Sequence, residues 1–223
     1  MEQYKQEFVE FLIRVNALQF GSFTLKSGRQ APYFFNAGSF YTGDMLFALA
    51  RFYAQALIKS GFEHDVIYGP AYKGIPLAVS LAMALFRDFQ ISVSYAFNRK
   101  EAKQYGQKDT IIGAPLLENT RVVLVDDVIT AGTAVRESVD FLKNNGNPRL
   151  VGILIALDRM EKNNDGNNAL QELEKTLAIP VISIINMKEV LEYLDHREID
   201  GRLILDDQKM AQIQEYRSQY GIS

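Results

Sequence analysis

Two adjacent aspartates, Asp126 and Asp127, follow the apolar run "VVLV" and precede the small-residue turn "TAGT" at 130–133. Placing two charges at the end of a buried strand is costly unless they are compensated. The small residues let backbone N–H groups converge, and the helix expected after them adds partial positive charge. A single aspartate would be better explained as a turn residue. The pair instead predicts an anion-binding turn beside two acids that accept hydrogen bonds.

A second tight turn, "GPAYKG" at 69–74, offers free N–H groups and the cation Lys73. It has the outer glycines of a nucleotide-binding P-loop, but Ile75 and Pro76 stand where that motif requires Lys and Ser or Thr. No G-x-G-x-x-G motif follows a strand, so a dinucleotide site has no support. Taken alone, this turn would be an ordinary strand-to-helix connection.

A basic stretch, "NRKEAKQYGQKD" at 98–109, contains Arg99, Lys100, Lys103 and Lys108 without apolar periodicity. Such segments are usually only solvated. This one follows a predicted strand and lies beside both anion-binding turns, so we expect a mobile loop that closes over a polyanion. The three segments together suit a substrate with phosphate groups at two ends and hydroxyl groups between. The acids would accept hydrogen bonds from those hydroxyls, directly or through Mg²⁺ and its waters.

The elements that position these segments alternate regularly from residue 65 onward. We predict strands at 65–70, 91–97, 121–128, 150–158 and 180–187, and helices at 75–86, 132–146 and 169–177. Strands that are apolar on both faces and alternate with helices indicate a parallel sheet covered on both sides. Ligands of such sheets bind beyond the carboxyl ends of the strands, where all three segments fall.

The N-terminal part follows a different pattern. An apolar stripe from Phe8 to Leu18 predicts a helix, and Gly and Pro punctuation in 20–38 predicts a hairpin-like element. A second helix is expected between Thr42, a possible cap, and Gly61. The Asn-rich stretch 161–168 is expected to be a surface loop rather than a boundary, so residues 1–223 are predicted to form one domain.

Composition excludes several classes of protein. The net charge of −3 gives no support for a nucleic-acid or anionic-membrane surface. The chain has no cysteine, and His64 and His196 are far apart, so thiolate chemistry and a histidine-rich metal site are not expected. The N-terminus is charged throughout, and no run approaches the ~20 apolar residues that span a membrane. We therefore predict a cytoplasmic protein.

The stretch "VVLVDDVITAGTA" (122–134) resembles the 5-phosphoribosyl-1-diphosphate (PRPP) motif of type I phosphoribosyltransferases. The order and spacing of four further stretches resemble the orotate phosphoribosyltransferase family: "TLKSGRQAPYFFNAG" (24–38), "GPAYKGIPLA" (69–78), "FNRKEAK" (97–103) and "ALDRME" (156–161). The resemblance implies an α/β fold in which helices flank a parallel sheet. It also implies that residues from about 1 to 40 form a small hood over the active site. It also implies phosphoribosyl transfer from PRPP to orotate, Mg²⁺, and a homodimer that shares the loop 98–109.

The resemblance also implies roles for particular residues. The implied PRPP-binding residues are Lys26, Tyr72, Lys73, Arg99, Lys100, Lys103, Tyr105, Asp126, Asp127, Val128, Ile129, Thr130, Ala131, Gly132, Thr133 and Ala134. The implied catalytic residues are Lys26, Lys103, Asp126 and Asp127. The implied orotate-binding residues are Phe34, Phe35, Thr130 and Arg159. No protein metal ligand is implied, because Mg²⁺ would be held mainly through substrate and water.

Two departures and two alternatives accompany this interpretation. Many relatives have histidine where this chain has Tyr105, and the following "GQKDT" departs from their Gly- and Glu-rich stretch. A phosphoribosyltransferase for purine bases is one alternative, but a purine has no carboxylate to pair with Arg159. A non-catalytic PRPP-sensing regulator is the other. Such a regulator should carry a nucleic-acid-binding surface, whereas this chain is net acidic.

Overall fold

The elements of the fold come from a computed structural model, which describes residues 1–25, 28–100, 110–129, 132–163 and 166–222. The helices are α1 (Gln3–Arg14), α2 (Gly43–Ser60), α3 (Gly74–Phe89), α4 (Thr133–Asn144), α5 (Ala169–Leu177), α6 (Met187–Leu194) and α7 (Asp207–Tyr220). The strands are β1 (Leu18–Thr24), β2 (Gln30–Phe35), β3 (Val66–Tyr68), β4 (Ser94–Asn98), β5 (Ile111–Gly113), β6 (Arg121–Val128), β7 (Arg149–Asp158), β8 (Val181–Asn186), β9 (Glu198–Ile199) and β10 (Arg202–Leu203). Within these ranges no helix is long and apolar enough to cross a bilayer.

The central sheet has six strands in the order β5-β4-β3-β6-β7-β8. All neighbouring strands are parallel except the edge strand β5, which runs antiparallel to β4. The expected α/β fold with helices around a mostly parallel sheet is therefore confirmed. Strand β6 lies between β3 and β7, so its carboxyl end opens at the middle of the sheet.

Alternate residues of β6 enter two separate cores, which is why the strand is apolar throughout. Val123 and Val125 pack with α2 and α3 on one face, whereas Val122 and Leu124 pack with α4 and α5 on the other. All four side chains are 0% exposed. Since period-2 alternation sends neighbours to opposite faces, both faces must be covered. The strand end that carries Asp126 is therefore held rigidly.

The N-terminal elements form a small layer on the first of these cores. Strands β1 and β2 make an antiparallel hairpin, as the sequence predicts for this region. Tyr33 and Phe35 point inward, at 1% and 8% exposed, whereas Phe34 between them is 36% exposed. Helix α7 packs on β2, with the rings of Tyr33 and Tyr216 edge to face at 5.7 Å. The hairpin is thus tied to the C-terminal helix.

Some element boundaries differ from the sequence-based expectation. Helix α1 ends at Arg14 because Asn16 adopts a positive φ of 57°, so Leu18 begins a strand instead of continuing the helical stripe. Thr42 precedes α2 but makes no side-chain capping bond, whereas Gly61 ends that helix at φ 69° as expected. The strand expected at 91–97 begins only at Ser94, after Gln90 closes α3 at φ 58°.

Candidate active site

The two sequence-predicted acids lie at the carboxyl end of β6, beside β7. Asp127 is 8% exposed, and its Oδ2 accepts a hydrogen bond from Lys73 Nζ at 2.7 Å. The Lys73 side chain is 68% exposed, so this cation covers the acid from the solvent side. The structure therefore brings together the acid pair and the second tight turn, which are 54 residues apart in sequence.

Asp126 is partly buried and makes a different set of contacts. Burial, followed by the charge of Asp127, raises the pKa of Asp126 to about 7. The Asp127 backbone N–H opposes this shift by donating to Asp126 Oδ1 at 2.9 Å. The main-chain oxygen of Asp126 accepts from the Tyr53 hydroxyl at 2.7 Å. Burial raises the pKa of Tyr53 well above its usual value, so this hydroxyl stays a donor. A nearby cation would therefore favour the ionised form of Asp126.

A cavity of about 220 Å³ lies between the end of β6 and the start of α4. Its lining includes Asp126, Val128, Ile129, Gly132, Thr133 and Ala134. Gly132 precedes the helix at φ 71°, and a Cβ there would lie 2.7 Å from an Arg136 nitrogen. Glycine thus permits both the left-handed turn and the close approach. The N-terminus of a helix that faces such a cavity is suited to bind a phosphate.

The second tight turn depends on glycine for a different reason. A Cβ at Gly69 would lie 1.9 Å from the carbonyl oxygen of Gly74, so the outer glycines close the turn on itself. The Ala71 N–H donates to Asn98 Oδ1 at 2.8 Å, which ties the turn to the end of β4. The close packing within the turn explains both glycines, so they are not evidence for a P-loop.

The start of the basic stretch lies against this turn. Lys100 Nζ is 5.0 Å from the centre of the Tyr72 ring, and the Arg99 N–H donates to the Thr110 carbonyl at 2.8 Å. Tyr72, Lys73 and Lys100 are therefore close together, as the interpretation of a diphosphate site requires. Five sequence-predicted residues lie outside the described residues, namely Lys26, Lys103, Tyr105, Thr130 and Ala131.

Arg159 follows β7 at the same edge of the sheet and is 8% exposed. Its NH2 donates to Glu161 Oε1 at 2.8 Å, and the same oxygen accepts from the Tyr33 hydroxyl at 2.7 Å. Phe35 lines a small cavity of about 90 Å³ together with Lys73 and Asp127. Phe34, on the opposite face of β2, stacks on Phe23 at 5.6 Å. The inward face of the hairpin thus meets both Arg159 and the acid pair.

Sequence reasoning assigned no role to Tyr33, Tyr53 or Glu161. Tyr33 and Glu161 fall inside the quoted stretches "APYFFN" and "ALDRME", and period-2 alternation in β2 could have placed Tyr33 beside Phe35 on the inner face. Nothing local in the sequence indicates the partner of Glu161, which lies 128 residues from Tyr33. The contact depends on tertiary packing.

The donor set at the strand end suits Mg²⁺ only in part. The described part of the chain contains no group of three or more His, Cys, Asp and Glu side chains that could hold a metal ion. Mg²⁺ is commonly held by one or two carboxylates together with substrate phosphates. The carboxylates of Asp126 and Asp127 fit that arrangement, with the remaining ligands coming from substrate and water.

A larger cavity, of about 850 Å³, lies among α5, α6 and α7. Its lining mixes Lys162, Lys188 and Arg217 with Glu192 and Asp195, and neither member of the acid pair contributes to it. Size alone does not identify a site, because function requires convergent chemical groups. We therefore place the active site at the end of β6.

Known proteins resemble this chain over its length. A profile of the phosphoribosyl transferase domain matches residues 36–179. The orotate phosphoribosyltransferase of Marinobacter nauticus is 51% identical over 223 residues, which covers 100% of both chains. That of Clostridium acetobutylicum is 47% identical with the same coverage. A solved orotate phosphoribosyltransferase from Francisella tularensis has a TM-score of 0.85 and 40% identity, covering 97% of this chain and 100% of that one.

The match to the phosphoribosyl transferase domain and the likeness to a solved orotate phosphoribosyltransferase identify the chain as a phosphoribosyltransferase with the type I fold. Within that class, the full-length similarity is specific: the chain belongs to the orotate phosphoribosyltransferase family. The family resemblance inferred from the sequence is therefore confirmed. The alternative assignments, a purine phosphoribosyltransferase and a PRPP-sensing regulator, receive no support from these relatives.

Proposed function

We propose that this protein transfers the phosphoribosyl group of PRPP to N1 of orotate, giving orotidine 5′-monophosphate and diphosphate, a late step of pyrimidine synthesis. One observation carries the proposal. The acid pair at the end of β6 lies between an anion-binding cavity at the start of α4 and the lysine of a second turn. A substrate with phosphate groups at both ends of a ribose matches that order of groups.

The cavity at the start of α4 would hold the 5′-phosphate. Backbone N–H groups of residues 132–134 and the helix dipole supply the attraction, while Val128 and Ile129 form the apolar side of the cavity. The ribose hydroxyls would donate to the carboxylates of Asp126 and Asp127. Thr130 and Ala131 remain predicted members of this group.

The second turn and the start of the basic stretch would hold the diphosphate. Tyr72, Lys73 and Lys100 lie together there, and Arg99 adjoins them in sequence. Lys26, Lys103 and Tyr105 remain predicted members of this group. Mg²⁺, when bound, would neutralise charge on the diphosphate oxygens and so assist its departure.

Lys73 links diphosphate binding to the acid pair. Its ammonium group neutralises Asp127 at 2.7 Å when no diphosphate competes for it. A bound diphosphate would draw Lys73 outward, which its 68% exposed side chain allows. The carboxylates of Asp126 and Asp127 would then be free to stabilise the positive charge that develops on the ribose as diphosphate leaves. Exclusion of water by a closed loop would prevent hydrolysis of PRPP.

Arg159 would bind the carboxylate of orotate, because a guanidinium group can hold a carboxylate through two parallel hydrogen bonds. Phe35 lies closest to the acid pair among the predicted base-binding aromatics, since it lines the cavity that Asp127 also lines. Phe34 and Thr130 remain predictions for the same pocket. We propose that residues 1–40, which contain α1 and the β1–β2 hairpin, act as a hood over this end.

The proposal is tested by incubating the protein with PRPP, Mg²⁺ and orotate and following the loss of orotate absorbance. Adenine and hypoxanthine in place of orotate test the purine alternative. We expect turnover only with orotate, and we expect Asp127→Asn to remove most of it. Turnover with a purine base, or PRPP binding without any turnover, would contradict the proposal.

We also propose a homodimer, for which the described surface offers one supporting feature. Met83 and Phe86 lie three residues apart on one face of α3 and are 61% and 60% exposed. Large apolar side chains that remain this exposed on neighbouring positions are typical of an interface. The basic segment 98–109 follows β4, which packs on α3, and we propose that it serves the partner's active site. A cytoplasmic location stays a prediction made from the sequence.

Mixed dimers test the shared segment. Lys103→Ala and Asp127→Ala are each expected to be inactive, and the two variants are unfolded together and refolded. Random pairing makes about half of the dimers mixed, and a segment acting on the partner's site leaves each mixed dimer one intact site. Activity should then recover to roughly a quarter of the unmutated level. Confirmed mixed dimers without recovery would exclude a shared site.

A further inference from the structure

Glu161 is a largely buried carboxylate to which the proposed chemistry gives no role. Its side chain is 11% exposed, and the same oxygen accepts from Arg159 and Tyr33. Both donors are buried as well, at 8% and 1% exposed. A buried carboxylate is stable only when it is paired and hydrogen-bonded, so this three-residue cluster has a fixed arrangement.

The backbone that carries Glu161 is also held in place. The Met160 N–H donates to Asp158 Oδ1 at 2.7 Å, and Met160 turns the chain at φ 51°. Residues 160–162 then pair with residues 220–222 at the end of α7, through Lys162 N–H to Tyr220 O at 2.8 Å and Ile222 N–H to Met160 O at 2.9 Å. The backbone that carries Glu161 is therefore hydrogen-bonded on both sides, which fixes this side chain beside Arg159.

The guanidinium group of Arg159 is only partly used by these contacts. Its NH2 is committed to Glu161, and its central carbon lies 5.4 Å from the centre of the Tyr33 ring. Its Nε is buried without a hydrogen-bond partner among the described residues. A buried donor without a partner is unfavourable, so an incoming acceptor is favoured there. The contact with Glu161 therefore occupies NH2 and leaves Nε to be satisfied by a ligand acceptor.

We infer that Glu161, held by Tyr33, is a positioning residue that orients Arg159 toward the carboxylate of orotate. This inference rests on the proposed function. Burial, together with the charge of Glu161, raises the pKa of Tyr33 well above its usual value, so the phenol remains the donor to this carboxylate. Since Tyr33 belongs to β2, one carboxylate oxygen joins the hairpin to the arginine that recognises the base.

A carboxylate beside Arg159 has two opposing effects on an anionic ligand. It fixes the guanidinium group, which favours binding, and it repels the ligand's own carboxylate, which opposes binding. Glu161→Gln keeps the shape and an acceptor oxygen but removes the charge, whereas Glu161→Ala removes both. If positioning of Arg159 is the larger effect, only Glu161→Ala binds the ligand's carboxylate more weakly. If repulsion dominates, both variants bind the anion more tightly.

The test compares the dissociation constants of orotidine 5′-monophosphate and uridine 5′-monophosphate, measured by titration calorimetry. The two nucleotides differ only in the carboxylate, so a partly unfolded variant weakens both equally and the ratio is unaffected. We expect the unmutated protein to prefer orotidine monophosphate by about tenfold or more, since charge-assisted hydrogen bonds are the strong ones. Glu161→Ala should remove most of this preference, and Glu161→Gln should keep it within about threefold.

Tyr33→Phe provides a second, milder variant, and it should reduce the preference to an intermediate value. Its matched control is Tyr193→Phe, which removes a Tyr–Glu bond of the same 2.7 Å length, to Glu10, outside the site. The control should leave the ratio unchanged. An unchanged or increased ratio in Glu161→Ala, or equal losses in the alanine and glutamine variants, would overturn the positioning role. If the unmutated protein showed no preference, the proposed orotate specificity would fail as well.

Discussion

The two ends of the active site are built in different ways. The ribose-phosphate end uses consecutive residues, because Asp126, Asp127 and the start of α4 belong to one strand-to-helix connection. The base end joins Tyr33 of the hairpin to Arg159 and Glu161 beyond β7, across 128 residues of sequence. One end is a local motif on a rigid sheet, and the other exists only when separate elements pack together.

The two ends also differ in how their charged groups are buried and balanced. At the ribose-phosphate end, burial and a like charge raise the pKa of Asp126 to about 7, and Asp127 is balanced by a largely exposed lysine. At the base end, a buried arginine and a buried tyrosine both donate to one largely buried carboxylate. In the proposed function, the first end would therefore respond to charge that appears during the reaction, whereas the second would recognise a fixed charge on the substrate.

The largest expected effect comes from breaking the ribose-phosphate end. We expect Asp127→Asn to lower kcat by about 10²–10³-fold, the usual loss when one electrostatic contact to a transition state is removed. Steady-state kinetics gives kcat, and a urea unfolding curve measures stability in parallel. Near-normal turnover with an intact fold would mean that Asp127 is only a turn residue paired with Lys73.

Breaking the base end should instead change affinity for one substrate. We expect Arg159→Ala to raise KM for orotate by roughly 10–100-fold, because it removes charge-assisted hydrogen bonds to the carboxylate. KM for PRPP should change by no more than about threefold, since the ribose-phosphate end is built independently. Equal increases in KM for orotate and KM for PRPP would show that the two ends are coupled. That result would contradict the independence of the ribose-phosphate end.

The sequence predicted the local end better than the assembled end, for physical reasons. Strand β6 and helix α5 occupy the predicted ranges 121–128 and 169–177. The strand is marked by the apolar run 122–125, and the helix by Leu170, Leu173 and Leu177 at helical spacing. The acid pair and the glycine turn could be read from one short stretch. The cluster of Tyr33, Arg159 and Glu161 could not be read in that way, because its members meet only after the hairpin packs on α7.

Strand β5 and helix α6 are among the elements that the sequence analysis did not predict. Strand β5 has three residues and pairs antiparallel at the sheet edge, which is too short for a periodic signal. Helix α6 begins directly where β8 ends, so the apolar run hides the boundary. Its signal was present as a capping box, in which Asn186 and Glu189 bond each other's backbone N–H groups. Residue types at the boundary were more informative there than apolar periodicity.

The smallest expected effect is on the free energy of unfolding, and it tests the electrostatic difference between the two ends. The pKa of Asp126 is raised from 3.8 to about 7 in the folded protein. Between those values the folded state binds more protons than the unfolded state, so this group lowers the free energy of unfolding as pH rises from about 4 to about 7. Asp126→Asn cannot ionise, so its free energy of unfolding should fall less than that of the unmutated protein as the pH rises through this range.

Urea unfolding at pH 5 and pH 8 measures this effect together with any change at Asp127, whose charge contributes to the pKa shift of Asp126. Titrating groups away from the pair, including Asp158, are common to both proteins. The unmutated protein should lose more stability between the two pH values than Asp126→Asn does. The same change in both proteins would show that Asp126 ionises without penalty. The expected result would instead mean that the fold keeps an unfavourable carboxylate at the end of β6. Positive charge on the ribose would relieve that penalty during the reaction, whereas at the base end the carboxylate of orotate would supply the partner that Arg159 Nε lacks among the described residues.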